Sequence, residues 1–296
     1  MRPMSLTWDT LTSAAQREVI VASRFRASAP LTQDWQHFDF GVSGGVATVT
    51  FSRPEKLNPL TFESYADLRD LLHELPYRGD TKVLVIRGRG KAFCSGGDVN
   101  EIIGELVTMR PRDLMAFTKM TGDVIKAMRE VPIPIVAGIQ GIAAGAGAVI
   151  ALASDFRVVS GSARFAFLFS QVGLSGGDMG AAYLLPRVVG LGRATQLLML
   201  GNTIDAATAD RYGLVSELVD ANDLDEAVAR LARTLADGPT LALAQTKALL
   251  TRQLDMSLSG AMELDAMTQA LLMTTNDHAE FHASFNERRP PHWTGT

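Results

Sequence analysis

The apolar and polar positions divide this chain into a β-rich front and a helical tail. FDFGVSGGVATVTFSRP, residues 38–54, reads as a hairpin. Two β-rich runs flank Ser43-Gly44-Gly45, and Pro54 stops the second. TFESYADLRDLLHEL follows with Phe62, Tyr65, Leu68, Leu71 and Leu72 at helical spacing, one apolar face of an amphipathic helix. KVLVIRG and PIPIVAGI are apolar runs short enough to be buried strands, and DLMAFTKMTGDVIKAMREV between them is a helix. GAVIALASD predicts a buried helix leading into the strand FRVVS. RFAFLF predicts a further short strand, and MGAAYLLPRVVG a helix with an internal proline. From Ala206 onward the pattern is almost wholly helical.

This pattern implies an α/β core over 37–200 and a helical region over 201–296. A helical tail without its own sheet packs on the core or on a neighbouring subunit. Residues 1–36 form an N-terminal extension in which LTSAAQREVIVASRF predicts a helix and ASAPLTQDW a linker. The N-terminus lacks the basic head and apolar run of a secretory signal. Val131–Ser154 carries no charge and is long enough to span a bilayer. Pro132 and Pro134 favour extended chain at its start, however, and four glycines then divide it. The expectation is strand, turn and helix in a protein that does not enter a membrane.

Composition narrows the function classes. With 47% hydrophobic and 20% charged residues, the chain can bury a core and is no disordered tract. A formal net charge of −4 argues against general nucleic-acid binding. Cys94 is the only cysteine, so no internal disulfide can form, and a cytoplasmic setting is expected. GRGKAF at 88–93 follows a strand but is no phosphate loop, since Val85 and Ala92 break the required pattern. His278 and His282 lie one helical turn apart without an evident third ligand, and no metal site is expected. Gly173-Leu174-Ser175-Gly176-Gly177 matches the nucleophile-elbow pattern between a strand and a helix, but no upstream oxyanion segment of the lipase kind accompanies it.

Two glycine-rich turns carry more. Each follows a buried strand: VLVIRGRGKAFCSGGDV and IPIVAGIQGIAAGAGAVIALASD. Small residues let a backbone approach a ligand closely, and each turn could aim an N–H from the start of a helix. Two such groups converging on a thioester carbonyl make an oxyanion hole. The plainer reading is a pair of tight strand-to-helix turns, with Asp98 as an N-cap. In order and spacing, GKAFCSGGDV, PIVAGIQGIAAGAGAVIALASDFRV, ARFAF and GLSGGDMGAAYLLPRVVGLGRATQLLMLG together resemble the enoyl-CoA hydratase/isomerase (crotonase) superfamily. SRPEKLNPL and the terminal FNERRPPHW extend the resemblance from about Phe38 to the C-terminus.

The resemblance implies a crotonase-like spiral of repeated ββα units with a helical C-terminal trimerisation region. It implies a homotrimer or a dimer of trimers acting on acyl-CoA, with coenzyme A entering as part of the substrate and no separate cofactor. By motif position, the two oxyanion N–H groups fall on Gly97 and Ala146. Arg53 and Lys56 become candidates for phosphate contacts, and Phe285, Arg288 and Arg289 for closing the coenzyme site. The two glutamates of the family's hydratases fall on Val149 and Phe169, which cannot move a proton. The one carboxylate left is Asp178 in SGGDMG, a position where some relatives carry an aspartate that shuttles a proton or attacks an aromatic ring. A capping role fits the same residue, because Gly-Gly-Asp before a helix is a good N-cap. The leading expectation is a double-bond or proton shift with Asp178 as acid/base. Hydration of an enoyl-CoA, hydrolysis or dehalogenation of an acyl-CoA with Asp178 as nucleophile, and serine hydrolysis through Ser175 stand as alternatives.

Overall fold

The computed structural model describes residues 30–296. The helix predicted within LTSAAQREVIVASRF lies outside the described residues. β1 (Asp39–Ser43) and β2 (Val46–Phe51) form the expected hairpin. Gly44 and Gly45 close it with φ of 57° and 79°, the left-handed pair that a two-residue turn demands. α1 (Phe62–Arg78) starts at Thr61, whose hydroxyl accepts from Ser64 N while the Ser64 hydroxyl accepts from Thr61 N. Next come β3 (Val83–Gly88), α2 (Pro111–Glu130), β4 (Ile135–Ile139), β5 (Ile142–Ala144), α3 (Ala146–Ala153), β6 (Phe156–Ser160) and β7 (Arg164–Ala166). α4 (Ala181–Val189), α5 (Leu191–Leu200), β8 (Ile204–Asp205), α6 (Ala206–Arg211) and β9 (Glu217–Val219) lead into four tail helices. These are α7 (Leu224–Ala236), α8 (Thr240–Arg252), α9 (Leu258–Leu272) and α10 (Asn276–Glu287).

A large sheet runs in the order β1-β2-β3-β4-β6-β9, and a small one in the order β5-β7-β8. The spiral repeats one unit: a strand in the large sheet, a shorter extended piece beside the small one, then a helix. β4-β5-α3 is a complete unit. After β2 and β3 the short piece shrinks to isolated bridges, Leu60 with Gly97 and Cys94 with Ala143. The parallel central strands are buried on both faces, so each is apolar at nearly every position. Alternation then assigns their side chains. Leu84 and Ile86 of β3 join the main core, whereas Val83 and Val85 pack with Val228 and Leu235 of α7.

Three expectations change. The tail is not wholly helical: β9 pairs in parallel with β6 at the sheet edge, and α7 covers one sheet face. A core boundary at residue 200 therefore cuts through continuous packing. RFAFLF is strand only over Arg164–Ala166 and then coils into a 3-10 turn, Leu168–Val172. The linker also docks within the described residues: Thr32 donates from its N and hydroxyl to Glu74, and Leu31 is buried.

α8 is tied to the core by a partly buried ion cluster in which Lys247 is the buried member. Asp155 accepts from Arg129 Nη1 at 2.9 Å, Ile135 N at 2.8 Å and Lys247 Nζ at 2.8 Å. Lys247 also donates to Ile133 O at 2.9 Å. Removing one partner of such a cluster strands the other charges away from water. Asp155→Ala is expected to lower unfolding free energy by about 3 kcal/mol, read by chemical denaturation.

Candidate active site

The site begins with a backbone turn. Beyond β3 the chain folds back so sharply that a Cβ on Gly88 would lie 2.2 Å from Ala92 O. Asn58, buried and left-handed at φ 56°, staples this turn by donating from Nδ2 to Arg89 O and Ala92 O at 2.9 and 2.8 Å. The returning segment zips onto the next unit. Cys94 N donates to Ile142 O at 3.1 Å, and Ala144 N to Cys94 O at 2.9 Å. The glycines are there because nothing else fits. Gly96 has φ 102°, and a Cβ on it would sit 3.0 Å from Ala144 O and 3.6 Å from Ala146 N. A Cβ on Gly147 would collide with Cys94 O at 2.3 Å.

The two predicted donors are thus on adjoining turns. Neither Gly97 N nor Ala146 N has an acceptor among the described residues. Ala146 is the first residue of α3, where N–H groups are unpaired and the helix dipole favours negative charge. Asp98 caps the next turn as expected, its Oδ1 accepting from Asn100 N at 3.0 Å and Glu101 N at 3.2 Å. Burial alone would raise the Asp98 carboxyl. Those N–H bonds and the charges of Lys56 and Arg53 outweigh burial and hold it below the usual range. Arg53 Nη2 lies 3.2 Å from Asp98 Oδ2 and 2.7 Å from Glu101 Oε1, so this predicted phosphate ligand is already matched by carboxylates. Lys56 borders the same pair at 3.8 and 3.5 Å and is more exposed.

Asp178 is not a helix cap. The N-cap of α4 is Gly180, with no side-chain cap bond. Asp178 instead precedes two left-handed residues, Met179 at φ 52° and Gly180 at φ 81°. A buried non-glycine residue held there is strained, a pattern that clusters at functional sites. The Asp178–Gly180 turn packs on α2 and α3. The Asp178 carboxylate accepts one protein hydrogen bond, from Met179 N at 2.9 Å. Partial burial raises its pKa, and that single N–H bond does not cancel the effect. Val149 is fully buried and Phe169 nearly so, leaving apolar side chains where glutamates were sought.

Residues 41–296 match the family model for enoyl-CoA hydratase/isomerase. This chain belongs to the enoyl-CoA hydratase/isomerase family. It is 33% identical over 254 residues to 1,2-epoxyphenylacetyl-CoA isomerase of Escherichia coli (strain K12), covering 86% of this chain and 97% of the relative. It is 34% identical over 256 residues to (E)-benzylidenesuccinyl-CoA hydratase of Thauera aromatica, with coverage of 86% and 97%. A crystal structure assigned as an enoyl-CoA hydratase from Streptomyces coelicolor A3(2) superposes with a TM-score of 0.91 at 62% identity, covering 93% of this chain and 100% of that one. The crotonase-like spiral is therefore the fold of this chain.

Measured as a family member, the chain brings some predicted residues together and leaves others apart. Gly97 and Ala146 lie on adjoining turns, the Asp178 turn packs on α3, and Arg53 and Lys56 border Asp98 next to Gly97. Phe285 is 72% exposed on α10. Arg288 ends that helix in the left-handed region. Arg289 pairs with Glu280 and Glu287 on the surface. Ser175 accepts from Gly177 N at 3.2 Å, and no histidine bonds it, so the elbow pattern lacks a base. The uncharged stretch 131–154 is β4, β5 and α3, and no helix among the described residues is long and apolar enough to cross a membrane. No three metal-ligating residues cluster among the described residues.

Sequence reading missed Tyr65, which it placed only on an apolar helix face. It also passed over Asn58. Its left-handed backbone and double carbonyl contact have no pattern signal beyond an asparagine after Leu57. Gly147→Ala forces Cys94 and α3 apart. Turnover of the family's thioesters is expected to fall at least about 100-fold, the effect of losing one oxyanion donor, measured as kcat/KM beside a melting curve.

Proposed function

We propose that this protein shifts a double bond or proton within an acyl-CoA thioester, with Asp178 as its acid/base. The observation that supports this is one carboxylate of raised pKa on a turn packed against α3, whose first residue carries one of two acceptor-free N–H groups, with Val149 and Phe169 in place of a glutamate pair. The thioester oxygen accepts from Gly97 N and Ala146 N, which favours the enolate over the neutral ester by roughly 3–4 kcal/mol per donor. Asp178 removes a proton from the acyl carbon and returns it elsewhere on the delocalised anion. One group that takes and returns a proton needs no second carboxylate to activate water. The sequence is redox-neutral and calls on no metal or redox cofactor.

Coenzyme A enters as part of the substrate, its phosphates near Lys56 and Arg53. Phe285, Arg288 and Arg289 would meet the coenzyme only where α10 lies across a site in the assembly. We propose that assembly to be a homotrimer or dimer of trimers. Leu258, Met262, Met267 and Leu271 support it, lying exposed on successive turns of α9. Light scattering of the purified protein should give three or six copies, and a monomer would reject this. Relatives named as both isomerase and hydratase keep hydration as the second reading. Hydrolysis or dehalogenation would instead pass through a covalent Asp178 adduct visible by mass spectrometry.

The test is turnover of 2-enoyl-, 3-enoyl-, dienoyl- and aryl-CoA thioesters in D2O. The expected product keeps its atoms and gains deuterium only at carbon, and Asp178→Asn abolishes it. A product heavier by one water means hydration. The ionised carboxylate is the base, so kcat/KM should fall as pH drops through its pKa. Because that pKa is raised, the acid limb should lie above the ordinary carboxylate range of about 4.

A further inference from the structure

Tyr65 sits on α1 with its side chain aimed at the oxyanion turn. A Cβ built on Gly97 would lie 3.7 Å from its hydroxyl oxygen and 3.6 Å from Ile102 Cδ1. The residue is 3% exposed, yet no group among the described residues hydrogen-bonds the hydroxyl. The oxygen is also absent from the fully enclosed unpaired atoms, so it opens onto accessible space. Its ring is held edge-on by Phe117, with centroids 5.9 Å apart and planes at 80°, and Phe117 is itself wedged against Phe62 at 5.0 Å. The hydroxyl is therefore aimed rather than free to swing. Burial, then the charges of Cys94 and Asp178, push the phenol well above its ordinary pKa. Tyr65 is thus a neutral donor, and Asp178 is close enough for its charge to be felt there.

A hydroxyl that no protein group pairs and that opens onto accessible space holds water when the site is empty and can exchange it for an acceptor on the bound molecule. Phenylalanine would fill the same space without offering that donor. We propose that Tyr65 is a specificity-determining residue whose hydroxyl donates a hydrogen bond to an oxygen carried by the acyl group beyond the thioester carbonyl. This rests on the acyl-thioester reading above and adds a substrate class: acyl groups with a carbonyl, hydroxyl or epoxide oxygen near the reacting carbons. The thioester oxygen has its own donors in Gly97 N and Ala146 N, so the phenol adds a second polar anchor in an apolar pocket. Such anchors reject ligands that leave them unpaired.

Paired saturated thioesters test this without turnover. Hexanoyl-CoA and 3-oxohexanoyl-CoA are titrated calorimetrically into the wild-type protein and into Tyr65→Phe, which keeps the ring contact with Phe117. The wild type should prefer the oxo ligand by roughly tenfold, about the worth of one hydrogen bond to a neutral acceptor. Tyr65→Phe should erase that preference and leave hexanoyl-CoA affinity within about twofold. Equal affinities in the wild type, or a preference that survives in Tyr65→Phe, would overturn the assignment. The wild-type ratio alone decides against it even where the variant fails to fold. Binding of neither thioester to the wild type overturns the acyl-thioester reading itself, and with it this one.

Discussion

The site depends on two backbone turns approaching more closely than side chains would allow. Gly147 leaves α3 in contact with Cys94 O, and Gly96 brings its turn against Ala144 O. Hydrogen bonds between Cys94 and the Ile142–Ala144 strand lock the two together. The N–H groups of Gly97 and Ala146 are by-products of this closeness. Each is left without an acceptor because the backbone around it has spent its partners elsewhere. Donors fixed before reaction need no reorganisation when charge develops, and this is what makes an oxyanion hole effective.

Around that fixed pair few groups can ionise. Val149 and Phe169 are buried apolar residues, Cys94 is buried with its thiol pushed up to about 12, and burial pushes the Tyr65 phenol well above its ordinary range. Asp178 has its carboxyl raised above the ordinary range by partial burial. Its turn is strained at Met179 and packed between α2 and α3. The strain is carried by the surrounding core rather than relieved by a helix cap.

The tail contributes to the same rigidity. β9 completes the large sheet, α7 seals its face through Val228 and Leu235, and Lys247 reaches from α8 to Asp155 at the start of β6. Asp155 also holds Arg129 of α2, the helix on which the Asp178 turn rests. A single partly buried carboxylate thus links the tail, the core and the helix under the Asp178 turn.

By itself, the sequence determined the strands and helices with strong periodicity and the hairpin at Gly44-Gly45. It also determined the two glycine turns and their family, and the apolar residues at both glutamate positions. These are local: spacing, β-branching and glycine content act within a few residues of one another. Only the tertiary structure decided that Asp178 is no cap, because that depended on the left-handed backbone of Met179. It alone made Glu217–Val219 a strand, since three residues at a sheet edge take their form from the partner strand. It alone matched Arg53 to Asp98 and Glu101, and aimed Tyr65 at Gly97 from a helix more than thirty residues earlier. The physical reason is the same in each case. Packing and charge pairing act through space between segments that no window along the chain contains.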